Sequence, residues 1–271
     1  MAQFFDPVWM LTYFALGAVV GWLGGLFGIG GGLILVPVLL FAFDAQHFSA
    51  DVLLHLALGT AMATILFTSL ASMRKHHHHG AVNWTVVRGI TPGILLGTAL
   101  GALLTTHIPT NALAIFFALF VYFSATQILL DITPHASRQL PNATGLTLFG
   151  TMTGCLSSLV SIGGGSFVVP FLLWCNVSLR HAIGTSAAVG FPIAFGGSIG
   201  YIVTGWHNEN LPAAHLGYIY LPALLWIALA SVLTAPMGAR AAHRMKVAKL
   251  RKYFAVLLMM IATKMLLKIY Y

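Results

Sequence analysis

One nine-residue pattern occurs twice in this chain, as Ile29-Gly30-Gly31-Gly32-Leu33-Ile34-Leu35-Val36-Pro37 and as Ile162-Gly163-Gly164-Gly165-Ser166-Phe167-Val168-Val169-Pro170. Three consecutive glycines are poor helix material, since each costs about 1 kcal/mol relative to alanine in a helix interior. Both copies nevertheless lie inside long apolar stretches, residues 8 to 43 and 144 to 175. Where water is scarce, a broken backbone has to be buried in protein or line a cavity. A break made twice points to a doubled site, and the two breaks are read as the functional centre.

With 59% hydrophobic and only 7% charged residues, the chain is a polytopic membrane protein rather than a soluble domain. A net charge of +8 suits nucleic acid in principle, but the charges are clustered. Arg240, Arg244, Lys246, Lys249, Arg251 and Lys252 crowd one loop, and Arg74, Lys75 and Arg88 flank another, the pattern of cytoplasmic loops. No nucleic-acid partner is expected; the lipid bilayer is. Cys155 and Cys175 sit in apolar sequence and read as small buried hydrophobes. No Lys or Arg precedes Arg74, which argues against a cleaved signal peptide and for an external N-terminus and an external loop at 44 to 51.

The apolar segments are 8 to 27, 33 to 43, 52 to 73, 85 to 105 and 112 to 130, then 144 to 161, 167 to 175, 182 to 204, 216 to 236 and 253 to 270. A crossing needs roughly 20 residues, which 33 to 43 and 167 to 175 lack. Residues 8 to 43 and 144 to 175 therefore read as helical hairpins with a short second arm. Gly59-Thr60 matches Gly184-Thr185 and Pro92 matches Pro222, so the halves are repeats. The basic loop at 74 to 88 has an acidic counterpart at 205 to 215, while the uncharged loop at 106 to 111 corresponds to the basic 237 to 252. Opposite charge at matching loops means inversion. The expectation is an all-α polytopic membrane protein of two inverted repeats, residues 1–130 and 144–271, joined by a cytoplasmic linker at 131–143. Each repeat is a glycine-broken hairpin followed by three transmembrane helices, and both termini are external.

These residues resemble a known family. The doubled Gly-Gly-Gly-x-x-x-x-Pro element, Gly-Thr-Ser-Ala-Ala at 184 to 188 with its mate Gly-Thr-Ala-Met-Ala at 59 to 63, and Gly-Ala-Arg-Ala-Ala-His-Arg at 238 to 244 are similar to the sulfite exporter TauE/SafE family over essentially the whole chain. The first repeat has Met62 where the second has Ala187. The resemblance implies a bacterial inner-membrane carrier for sulfur-containing anions such as sulfite, sulfonates or sulfoacetate, and it selects neither substrate nor direction.

The residues agree on the sign of the substrate. The five acids, Asp6, Asp44, Asp51, Asp131 and Glu209, fall at segment ends or in loops, so no mid-membrane carboxylate is available for Na⁺ or a proton. Backbone N–H groups at half-helix N-termini can hold an anion instead, which nominates Gly31, Gly32 and Leu33 at the first break and Gly164, Gly165 and Ser166 at the second. Hydroxyls supplement them. Thr60, Thr64 and Thr68 share one helix face, and Ser161, Thr185 and Ser186 lie at or near the matching positions. Two readings stand for these hydroxyls, anion ligation and close helix packing.

Lys264 reads as a snorkelling cation or a counter-charge, and His76 to His79 as a solvated turn in a cytoplasmic loop rather than a metal site. His55 and His181 read as interface anchors that can also titrate. Neither a nucleophile with its base nor a metal-binding histidine pair falls within the spans, so the chain reads as a carrier without cofactor or enzymatic activity, or alternatively as a small-anion channel of the same architecture. The sequence does not specify an oligomeric state.

Overall fold

The computed structural model describes residues 6–27, 31–130, 136–244 and 248–270. Ile29 and Gly30 of the first break, Asp131, and Lys246 of the basic loop lie outside the described residues. The elements are α1 (Pro7–Phe27), α2 (Gly32–Ala45), α3 (Ala50–His78), α4 (Trp84–His107), α5 (Thr110–Leu129), α6 (Ala143–Val160), α7 (Gly165–Trp174), α8 (Leu179–Gly205), a two-stranded antiparallel hairpin β1 (His215–Leu216) and β2 (Ile219–Tyr220), α9 (Leu221–Arg244) and α10 (Ala248–Tyr270). Among the described residues, seven helices are long and apolar enough to cross a membrane: α1, α3, α4, α5, α6, α8 and most of α9. The apolar helices α2 and α7, of 14 and 10 residues, are too short. The chain is an all-α polytopic membrane protein. Leu96, Leu103, Leu119, Phe123, Leu148 and Leu233 stay exposed on its perimeter, as a lipid-facing belt requires.

Three of the expected stretches differ from the structure, the first being the basic loop at 237 to 252, of which 237–244 continue α9 and 248–252 begin α10. Residues 216 to 236 are not one helix, because Gly217 takes a left-handed φ of 55° and turns the β hairpin before α9 starts at Leu221. His76 to His78 close the last turn of α3 instead of lying in a loop, and His76 is buried with Nε2 3.4 Å from the Gly25 carbonyl.

Helix directions follow from glycine-lined seams. Gly17, Gly21 and Gly25 of α1 press on Ile227, Ser231 and Ala235 of α9, so these helices run parallel. Gly93, Gly97 and Gly101 of α4 press on Thr147, Thr151 and Cys155 of α6, again parallel. In lipid no hydrophobic force drives helices together, so backbone contact of this closeness is what holds them. A Cβ at Gly21 would enter the Ser231 backbone, and one at Gly97 the Thr151 carbonyl. Helices α3 and α8 cross the centre antiparallel: Gly59 lies near Tyr201, Met62 against Gly197 and Ser69 near Gly190.

This arrangement separates the charges by end. The end holding the C-termini of α1, α3 and α9 and the starts of α4 and α8 carries Arg74, Lys75, Arg88, Arg180 and Arg240; Arg180 Nη2 donates to the His79 carbonyl (2.6 Å). Arg138 of the linker lies over the Trp174 ring, 4.9 Å from its centroid, and the Ser137 and Arg138 N–H groups donate to the Trp174 carbonyl, so the end of α7 joins the same side. Asp6, Asp44, Asp51 and Glu209, all exposed, occupy the opposite end, where Gln46 Nε2 donates to the Tyr13 hydroxyl.

Candidate functional site

Both short helices start in the middle of the molecule. Gly31 has a φ of 78°, a conformation that glycine adopts without strain, and packs on Val20. Gly32 lies against the Ser161 carbonyl and Ile65, so the N-terminus of α2 meets the C-terminus of α6. Ser161 is itself left-handed, with φ 46°, uncommon outside glycine, and its hydroxyl donates to the Leu58 carbonyl (2.8 Å). Beyond it, Gly164 lies against the Ser186 carbonyl and Val189 of α8. The two breaks therefore touch through Gly32 and Ser161. Helix geometry leaves the first amides of α2 and α7 without intrahelical acceptors, among them those of Gly32, Leu33, Gly165 and Ser166. Gly31, Gly32, Leu33, Gly164 and Gly165 are buried, whereas Ser166 is half-buried.

The nominated hydroxyls divide. Thr60 Oγ1 accepts the Tyr220 N–H (2.9 Å) just before α9, while the neighbouring Gly59 faces the Tyr218 carbonyl. Thr185 Oγ1 accepts the Asn83 N–H (2.9 Å) at the cap of α4, while Gly184 faces the Ala81 carbonyl. Each Gly-Thr pair thus does the same work: the glycine admits an incoming carbonyl, and the threonine satisfies the N–H two residues later. Thr64 Oγ1 donates to the Thr60 carbonyl (2.9 Å) within its own helix, and Ser186 is fully buried on α8.

A recess of about 10 Å³, the room of a single water, opens beside the second break. Gly24, Thr68, Ser69, Ser72, Gly163, Ala187 and Gly190 line it. Thr68 Oγ1 bonds Ser231 Oγ (2.9 Å), and Ser69 Oγ donates weakly to the Leu66 carbonyl (3.2 Å). Ser72 is 2% exposed and its Oγ has no hydrogen-bond partner among the described residues. A buried polar atom without a partner costs about 1–3 kcal/mol and calls for an explanation. Ser72 continues the four-residue ladder Thr60, Thr64, Thr68, a signal present in the sequence but followed only as far as Thr68. Lys264 Nζ lies over the Phe41 ring (4.9 Å), away from the breaks. His55 is buried against the Tyr218 ring and the Thr105 carbonyl, and His181 is exposed beside Ser178.

The two readings of Thr60 and Thr185 separate experimentally. Valine at either position leaves a helix-start N–H without its acceptor, so each variant should lose about 1–2 kcal/mol in the absence of any anion, with serine restoring most of it. Thermal melting of the purified variants measures this. Valine variants that melt like the parent would assign the hydroxyls to a ligand instead.

Comparison with known proteins follows the same lines. A family model described as sulfite exporter TauE/SafE matches residues 13–265. A probable membrane transporter protein of Haemophilus influenzae is 38% identical over 264 residues, covering 96% of this chain and 98% of the relative. Another, of Methanocaldococcus jannaschii, is 28% identical with 93% of each chain covered, and one of Bacillus subtilis is 30% identical over 73% of this chain and 79% of its own. No solved structure matches. A polytopic helical membrane protein with relatives named as transporters along its whole length, this chain belongs to the sulfite exporter TauE/SafE family, a family of membrane transporters.

Proposed function

We propose that this transporter moves small sulfur-containing anions of the sulfite, sulfonate or sulfoacetate type outward across the bacterial inner membrane, with the anion held between the two glycine-rich hairpin tips. The observation that carries the reading is the meeting of the tips, Gly32 against the Ser161 carbonyl. It brings the amide-bearing starts of two short helices, each equivalent to roughly half a positive charge, into one buried region. The four described acids are all exposed at one end, so no described carboxylate opposes an anion there. Sulfite comes from the family's name, and sulfonates and sulfoacetate extend it to anions of the same head-group chemistry. A recess with room for one water is too small for sulfite, so in this reading the structure is a closed state and a tip moves to admit substrate.

The frame of the reading is a pair of inverted repeats, 1–130 and 144–271. Several observations support it. The seam of α1 on α9 corresponds to that of α6 on α4, both Gly-Thr pairs hold the start of a helix in the other half, and the matching helices α3 and α8 run antiparallel. The basic end is then cytoplasmic, with the linker, and both termini are periplasmic. Cysteines placed at 209 and 244 test this orientation: an impermeant reagent added outside should label position 209 alone, and labelling of 244 would reverse it.

Export draws on the membrane potential. With a negative interior, expelling an anion gains about 2.3 kcal/mol per charge per 100 mV, so no coupling ion is required. Proteoliposomes with a set potential and no Na⁺ or pH gradient should show sulfite flux that follows the potential, saturates and exchanges by counterflow. Gly31→Leu and Gly164→Leu should each abolish it. Flux indifferent to the potential but driven by Na⁺, or near-parental flux in either leucine variant, would contradict the proposal.

A further inference from the structure

We propose that the anion between the tips is a single one, seated in the recess on the α7 side, and that Met62 closes the symmetry-related place on the α2 side. The inference rests on the anion-carrier reading above and deepens it. Placing Gly59-Thr60 on Gly184-Thr185 pairs Met62 with Ala187 and Gly197 with Ser72. Met62 is fully buried, and a Cβ on Gly197 would meet its Cγ, Sδ and Cε at 2.8, 3.0 and 2.8 Å. The methionine side chain therefore fills the space over Gly197. In the second repeat the same space, between Ala187 and Ser72, is the recess.

Polarity differs between the two places as volume does. Thr68 and Ser69 pair with Ile193 and Ala194, so the hydroxyl cluster of α3 has no counterpart on α8. At the first tip Gly32 faces the Ile65 methyl group, while at the second Gly190 occupies the matching position and keeps the approach to Gly164 open. Ser157, the mate of Gly24, is likewise buried without a partner among the described residues, as are Thr153 and Ser198, so what separates the two places is the Met62 side chain over Gly197.

At the second tip neutral donors therefore border open space: the hydroxyl of Ser72, that of Ser69 once it leaves its weak bond to Leu66, and the amides at the start of α7. Among the described residues, those that line the recess include no Lys, Arg, His, Asp or Glu. The chemistry fits the head of a small oxyanion, whose oxygens only accept. A substrate carrying an ammonium group beside its anion would find no carboxylate among the described lining residues to pair with it. The unpartnered Ser72 hydroxyl is what such an oxygen would satisfy.

The test uses the purified full-length protein and sodium sulfite, with sodium methanesulfonate as the sulfonate probe. Isothermal titration calorimetry should give one anion per chain, and sulfite should raise the melting temperature by mass action. Ser72→Ala should melt no lower than the parent without anion and bind about tenfold or more weakly, the loss of one hydrogen bond to a charged group. Ala187→Met, which copies the first repeat into the second, should abolish binding. Met62→Ala should melt lower, from the cavity it leaves, yet keep its affinity within about threefold. Two anions per chain, parental affinity in Ser72→Ala or in a folded Ala187→Met, or a Met62→Ala loss as large as that of Ser72→Ala would overturn the single-site proposal. Failure of any anion to protect the parent would instead overturn the anion reading beneath it.

Discussion

Backbone amides at an interrupted helix have to be satisfied inside the protein when no water reaches them. In this fold Gly31 and Gly32 of the first interruption and Ser161 to Gly165 of the second are buried among other helices, and those helices approach because glycine lets them. The α1–α9 and α4–α6 seams bring backbone against backbone, α3 and α8 cross between them, and the tips fit into what remains. Gly32 rests on the Ser161 carbonyl, and Ser161 is held left-handed by its bond to Leu58. In the proposed reading a tip built this way holds amides out of a regular helix, where an anion could meet them.

The Gly-Thr pairs show how position decides the use of a residue. A threonine on a helix face offers one hydroxyl, and here Thr60 and Thr185 use theirs on the starts of α9 and α4. Thr64 uses its own on the preceding turn and Thr68 on Ser231. Along this ladder only Ser72 reaches the recess with its hydroxyl uncommitted. Such a group lowers the stability of the empty protein, a loss that the proposed anion would recover.

Much of the fold is legible in the sequence, for physical reasons. Triple glycines followed by proline mark the hairpin arms, and α2 and α7 begin within two residues of where they are read. Low charge over long apolar runs marks the spans. The β hairpin at 215–220 is hidden because its residues are as apolar as those of a helix, and only Gly217 betrays the turn. The seams are written plainly as glycines every fourth residue, at 17, 21 and 25 and at 93, 97 and 101, but which helix each one meets depends on tertiary packing that no local pattern contains. The site is half legible. The breaks stand out, while the roles of Thr60 and Thr185 and the uncommitted Ser72 require the partner helices to be in place. Met62 opposite Ala187 is visible in the sequence as a departure from symmetry, and its meaning emerges only from the contact with Gly197.

The central claim is that an oxyanion is bound by the broken tip itself. Selenite, the selenium analogue of sulfite, tests it most directly through anomalous diffraction from crystals grown with the anion. The account predicts one internal selenium peak, with oxygens about 3 Å from Ser72 Oγ and from the amides at the start of α7. An internal peak over Gly197 in place of the Met62 side chain, or one remote from both glycine breaks, would contradict it.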